Sequence, residues 1–153
     1  MFRRLLPALV FLATPALAQT SQPCEVTPDQ TSCSRIFACL GDQGRWFQGR
    51  AFGRGEGVFD GVTDDGVLCR GTWTNSNAAD VGQADMICDD GMTAVVYYFL
   101  QDGYTGTGIG QGTTNTGDKI KSWTGENVIE FLKRNSATSE ALLQCGDASI
   151  LIS

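Results

Sequence analysis

The chemistry open to this chain is narrowed first by a residue it lacks: none of its 153 residues is a histidine. Ser-His-Asp and Cys-His nucleophiles, histidine-ligated zinc and histidine pH switching are removed together. Paired carboxylates could still hydrolyse a glycoside, with candidates at Glu56, Asp60, Asp85, Glu126 and Glu130. No cleft signature accompanies them, so no catalytic residue and no enzyme are expected. Asp64-Asp65 and Asp89-Asp90 each precede a glycine and invite calcium. A calcium loop needs acidic residues at alternate positions before its glycine, where Val62 and Ile87 stand instead. Turn chemistry accounts for both pairs, and no metal site is expected. Gly53 to Gly57 and Gly106 to Gly112 are glycine-rich, yet no Gly-Lys-Ser/Thr follows and no helix opens after them. They do not read as phosphate loops, and no cofactor is expected.

The six cysteines, Cys24, Cys33, Cys39, Cys69, Cys88 and Cys145, include no C-x-x-C pair. They read as disulfides, which also removes a thiol nucleophile. If Val67–Trp73 and Gln83–Cys88 are neighbouring antiparallel strands, Cys69 and Cys88 sit opposite one another. That pairing is expected; the connectivity of the other four is open.

The first 18 residues read as a secretory signal peptide. Arg3 and Arg4 precede an apolar run from Leu5 to Leu17, and Ala16-Leu17-Ala18 supplies small residues for cleavage. Residues 19–31 read as an irregular leader and 32–153 as one β domain. The mature chain keeps nine of the 11 basic residues against 17 acidic ones, a formal charge of −8. That field repels phosphate backbones and anionic lipid, so nucleic acid is not an expected partner. No apolar run after the signal is long enough to span a bilayer, and membrane insertion is not expected. The product is expected to be exported, to the periplasm or outside the cell.

Two columns of regularly spaced residues outline the elements that would position a site. Turn-type glycines fall at Gly41, Gly66, Gly91 and Gly117, spaced 25, 25 and 26 residues apart. Large aromatics follow at Trp46, Trp73, Tyr98 and Trp123, spaced 27, 25 and 25. The two columns predict four consecutive β-hairpins, each a strand, a tight glycine turn and a return strand. Thr31 to Leu40 fits either a helix or the opening strand. Val95 to Leu100 is strongly β-prone and apolar, as a strand covered on both faces would be. In a strand from Tyr104 to Gly112, Gly106, Gly108, Gly110 and Gly112 share one face, leaving a bare strip for aromatic rings to cover. A flexible loop is the alternative. Val128 to Leu132 reads as a further strand, Glu140 to Gln144 as a helical turn or strand, and Ala148 to Ile152 as the last strand. The fold class is therefore all-β: an up-and-down antiparallel meander of four hairpin repeats, curled into a small barrel or strongly twisted sheet.

The glycine and aromatic punctuation of these two-stranded units resembles the MORN repeat. Over Ala84 to Tyr98 (ADMICDDGMTAVVYY), the chain is also similar to the Cys-x-x-Gly hairpin of periplasmic inhibitors of C-type lysozyme. That second resemblance implies a secreted, disulfide-held β-barrel. Trp46, Trp73, Tyr98 and Trp123 in one row could stack on sugar rings or grip an extended peptide; packing as the core of the repeat is the other reading. The expected function is a non-enzymatic exported binding module for a secreted or envelope protein or a glycan. An inhibitor of a secreted hydrolase, such as lysozyme or a protease, is the alternative, and a small carbohydrate-active enzyme with paired carboxylates the third.

Overall fold

Tight glycine turns organise the architecture, and three of them are built alike. The protein is described from a computed structural model covering residues 32–153; the expected signal peptide, the expected leader and Cys24 lie outside the described residues. Thr63, Cys88 and Thr114 donate backbone N–H groups to the carbonyls of Val67, Met92 and Asp118 at 3.0, 2.8 and 2.9 Å. Gly66, Gly91 and Gly117 donate back to those same three residues, with φ of 86°, 87° and 89°. That left-handed conformation is cheap only for glycine. The first turn differs: Leu40 bonds across to Arg45, one residue further on.

These turns join β1 (Ser32–Leu40) to β2 (Trp46–Arg54), β3 (Glu56–Thr63) to β4 (Leu68–Thr74), β5 (Gly82–Cys88) to β6 (Thr93–Gln101), and β7 (Gly108–Thr114) to β8 (Lys119–Gly125). Each strand pairs antiparallel with the next, and β8 pairs back onto β1, closing an eight-stranded up-and-down barrel. Thr31–Leu40 thus resolves as a strand from Ser32 onward.

Closing a barrel this small bends its strands sharply, and glycines lie where they bend. A Cβ on Gly61 would sit 2.5 Å from Cζ of Phe47, and one on Gly71 would sit 2.5 Å from Cζ of Phe59. Rings therefore cover bare backbone inside the barrel. The same holds for part of the glycine strip. Tyr98 covers Gly110, where a Cβ would lie 2.9 Å from its Cδ1. Gly106 departs from the expected strip, lying in the turn before β7 with φ 68°.

Inside the barrel, Ile36, Leu40, Phe47, Phe59, Val96 and Ile120 form the buried core. A second apolar cluster lies outside it, against β1 and β8, roofed by α1 (Val128–Arg134) and the hairpin β9 (Leu142–Cys145)–β10 (Ala148–Leu151). Here one expectation is corrected: Val128 to Leu132 is helical. The closed barrel leaves no free edge for another strand, so these backbone groups satisfy themselves in a helix. Val128 and Leu132, one turn apart, are the two residues it buries. The disulfide Cys39–Cys145 fastens β9 to β1, and Cys69–Cys88 joins residues directly opposite in the β4–β5 register, as expected. Cys33 is disulfide-bonded as well. This much oxidised cysteine indicates an oxidising compartment.

Candidate functional site

The two ends of the barrel are built differently. At the end carrying the four glycine turns, Arg45 lies across the opening. Its Nη2 meets Asp65 at 3.3 Å and Asp90 at 3.1 Å, and Nη1 lies 3.7 Å from the Met92 sulfur. Burial opposes the arginine's charge, but Asp90 and Asp65 outweigh it and its pKa is raised. Asp65 is held below the usual carboxylate range by the Thr63 hydroxyl and then by Arg45. Asp90 is lowered by the Met92 N–H and then by Arg45. The aspartate pairs that invited calcium thus cap turns and grip a crossbar: Asp64 accepts from the Trp46 N–H at 3.1 Å and Asp90 from Met92 at 2.9 Å. Leu40, Phe47, Cys69–Cys88 and Met92 fill the space beneath.

The opposite end opens into a cavity of about 570 Å³. Ile36, Ala51, Phe59, Trp73, Ala84 and Tyr98 line it together with Ser34, Gly108 and Thr124, and Asn75, Asp80, Gln83 and Gln101 add polar groups to the lining. The two largest rings have their polar ends engaged elsewhere. Trp73 Nε1 donates to the Phe52 carbonyl at 3.0 Å. Tyr98 Oη shares a hydrogen bond of 2.8 Å with Ser122 Oγ, which donates to the Phe37 carbonyl at 3.2 Å. Burial pushes the Tyr98 phenol up to about 12, so it is neutral at any physiological pH. Among the described residues the hydroxyls of Ser34 and Thr124 have no hydrogen-bond partner, so two unengaged hydroxyls stand in the lining besides the side chains of Asn75, Asp80, Gln83 and Gln101.

The rim mixes apolar residues, Val81, Phe99 and Leu100, with polar ones, Asn75, Asp80 and Gln101, and is partly anchored. A register shift between Tyr98 and Leu100 marks a bulge, and Phe99 and Leu100 beside it are both about half exposed. The loop from β6 to β7 is held by Asp102, which accepts from the Thr105 N–H and hydroxyl, each at 2.7 Å. These bonds, the hydroxyl first, lower the Asp102 pKa. Arg134 of α1 stacks 4.1 Å over Tyr104 in the same loop.

The four aromatics singled out from sequence do not form one row. Trp73 and Tyr98 face into the barrel, whereas Trp46 and Trp123 belong to the outer cluster beneath α1 and the terminal hairpin. Parity is the reason. Trp73 and Tyr98 each follow their turn glycine by seven residues, Trp123 by six and Trp46 by five. Since strand side chains alternate, a one-residue offset behind an equivalent turn reverses the face. Trp46, behind the longer first turn, takes the outward place that Leu68 holds in the second hairpin. The signal was therefore in the spacing, but only once the turn types were known. The candidate carboxylates are not gathered either. Glu56 and Asp85 line a shallow outer groove, Asp60 lines a different one, and Glu126 and Glu130 lie exposed near α1. Sequence reasoning missed Arg45 and the aromatic lining from Phe59; a lone arginine in a turn facing two aspartate pairs was the available clue.

No protein-family profile and no curated protein matches the sequence. Among solved structures, the chain is similar to a de novo designed fluorescence-activating β-barrel. That pair shares 16% identity with a TM-score of 0.48, covering 61% of this chain and 90% of that one. A redesigned β-barrel, mFAP0, bound to DFHBI, shares 17% identity with a TM-score of 0.47, over 60% and 93%.

Proposed function

We propose that this protein is a non-enzymatic, exported binding module that takes a small, uncharged, largely apolar molecule with a flat ring into the open end of the barrel. The observation that carries this is the cavity of about 570 Å³, within the usual range for small-ligand sites, walled by Phe59, Trp73 and Tyr98. Because Trp73 and Tyr98 spend their polar atoms on the protein, they offer a ligand only ring faces. A glycan needs many donors and acceptors; Asn75, Asp80, Gln83 and Gln101 offer some in the lining, but the faces of Phe59, Trp73 and Tyr98 suit an apolar ring better. The split of the four aromatics also removes support for a sugar chain or peptide lying along one continuous row. Ser34 and Thr124 supply orientation through a single hydroxyl or carbonyl on the ligand. Outward-facing charges at Asp60, Arg70, Asp85 and Lys121 favour a barrel surrounded by water rather than lipid.

The test is titration with the uncharged dye N-phenyl-1-naphthylamine, read by dye emission and by energy transfer from tryptophan. Saturable one-to-one binding is expected. Gly108→Val should weaken it strongly, because a Cβ there meets Thr124 and Tyr98 at 3.4 and 3.6 Å, an ordinary contact, while further carbons fill the cavity. Trp46→Phe, outside the barrel, should leave it unchanged. Absence of saturation, or equal binding by Gly108→Val, would reject the reading.

A further inference from the structure

On the outer wall, the strand register lines up four charged residues. Arg35 is opposite Arg50, Arg50 opposite Asp60, and Asp60 opposite Arg70, across β1 to β4. At roughly 4.8 Å between strands, the row is about 14 Å wide. Behind it Gly49 and Gly61, themselves register partners, draw the sheet in against Phe47. The outer surface sinks there into a groove of about 530 Å³, floored by those glycines with Val62 and Leu68 alongside.

Three arginines in one row are out of keeping with a chain of net charge −6. Like charges directly opposite on a sheet are destabilising. Arg35 shows the cost: burial, and then the charge of Arg50, lower its pKa. Arg35 is partly engaged, stacking 4.8 Å over Phe37 and donating to the Ser153 carbonyl at 3.2 Å. Arg70 meets Asp89 at 3.3 Å. The side chain of Arg50 has no hydrogen-bond or ion-pair partner among the described residues, and neither has that of Asp60.

We propose that this groove is a second binding site, separate from the barrel mouth, for a small organic carboxylate. Its two oxygens lie on the planar fork of Arg50 with Arg35 beside it, and Asp60 accepts from a hydroxyl on the same molecule. Charge selects the class. Arg35, Arg50 and Arg70 against Asp60 and Asp89 leave a local charge of +1, which a monoanion neutralises and a phosphate dianion overshoots. A long polyanion would meet Asp60, Asp89 and the acidic remainder of the surface.

Amide chemical-shift titrations of the folded chain with acetate, lactate, galacturonate, galacturonate methyl ester and inorganic phosphate test this. Saturable shifts centred on Gln48 to Arg50 and Asp60 to Val62 are expected with carboxylates, strongest for the hydroxyl-bearing ones and weaker at high salt. The neutral ester should give none. Arg50→Gln should weaken binding about tenfold or more, and Arg50→Lys by less, since one charge-assisted bond contributes that much. Dye binding at the barrel mouth should be unaffected in both variants. Three results would overturn the proposal: no saturable shift with any carboxylate, tighter binding of phosphate than of carboxylates, or unchanged affinity in Arg50→Gln.

Discussion

The two ends of this barrel divide the work of the fold between them. At the turn end, large side chains, a cross-strand disulfide and the Arg45 crossbar fill and cover the interior. At the other end small residues, Ala51, Ala84, Gly108 and Ser34, stand among the rings of Phe59, Trp73 and Tyr98, and a space remains. Even the crossbar carries a cost, since its Nε is buried without a hydrogen-bond partner. The contrast teaches that stability and binding can be placed in different halves of one continuous core. An interior filled along its whole length would be more stable but would have no cavity.

Truncations at the two ends give the sharpest separation. Phe47→Ala, deep under the crossbar, should cost ~3–5 kcal/mol in urea unfolding, since the ring is almost wholly buried and covers two glycines. Trp73→Ala should cost less than that while abolishing dye binding, because the indole already borders empty space. If the tryptophan proved the more costly of the two, the division between ends would fail. Replacing Cys69 and Cys88 together by serine should remove ~2–4 kcal/mol, chiefly through a less restricted unfolded chain. Dye affinity of the folded double variant should stay near that of the parent; a parallel loss would mean that the ends are coupled.

The smallest effect belongs to Tyr98. Tyr98→Phe should cost ~0.5–1.5 kcal/mol for its bond to Ser122. It should also flatten the alkaline limb. In the parent the unfolded phenol ionises at its ordinary value near 10.0, whereas the folded one holds its proton to about 12. The unfolded state therefore binds fewer protons across that window, and stability falls as pH rises through it. Unfolding curves between those pH values should show the decline in the parent and a shallower one in Tyr98→Phe; identical slopes would mean that the phenol is hydrated at the mouth.

Local chemistry alone settled much of this protein. Asp-Gly steps with apolar runs on either side required tight turns between extended strands. Cys69 and Cys88 had to meet once those strands paired, and the missing histidine closed off whole classes of catalysis before any fold was known. Of the candidate site, Trp73 and Tyr98 were legible, but not their separation from Trp46 and Trp123. That depended on strand parity, which a one-residue difference in turn length or offset reverses. The helix at Val128–Arg134, the crossbar of Arg45 and the groove beside Arg50 were decided only by closure. Pairing β8 with β1 used up the last free edge and curled the sheet around its glycines. It also brought four turns, scattered over nearly eighty residues of sequence, to one rim; no local segment contains that information.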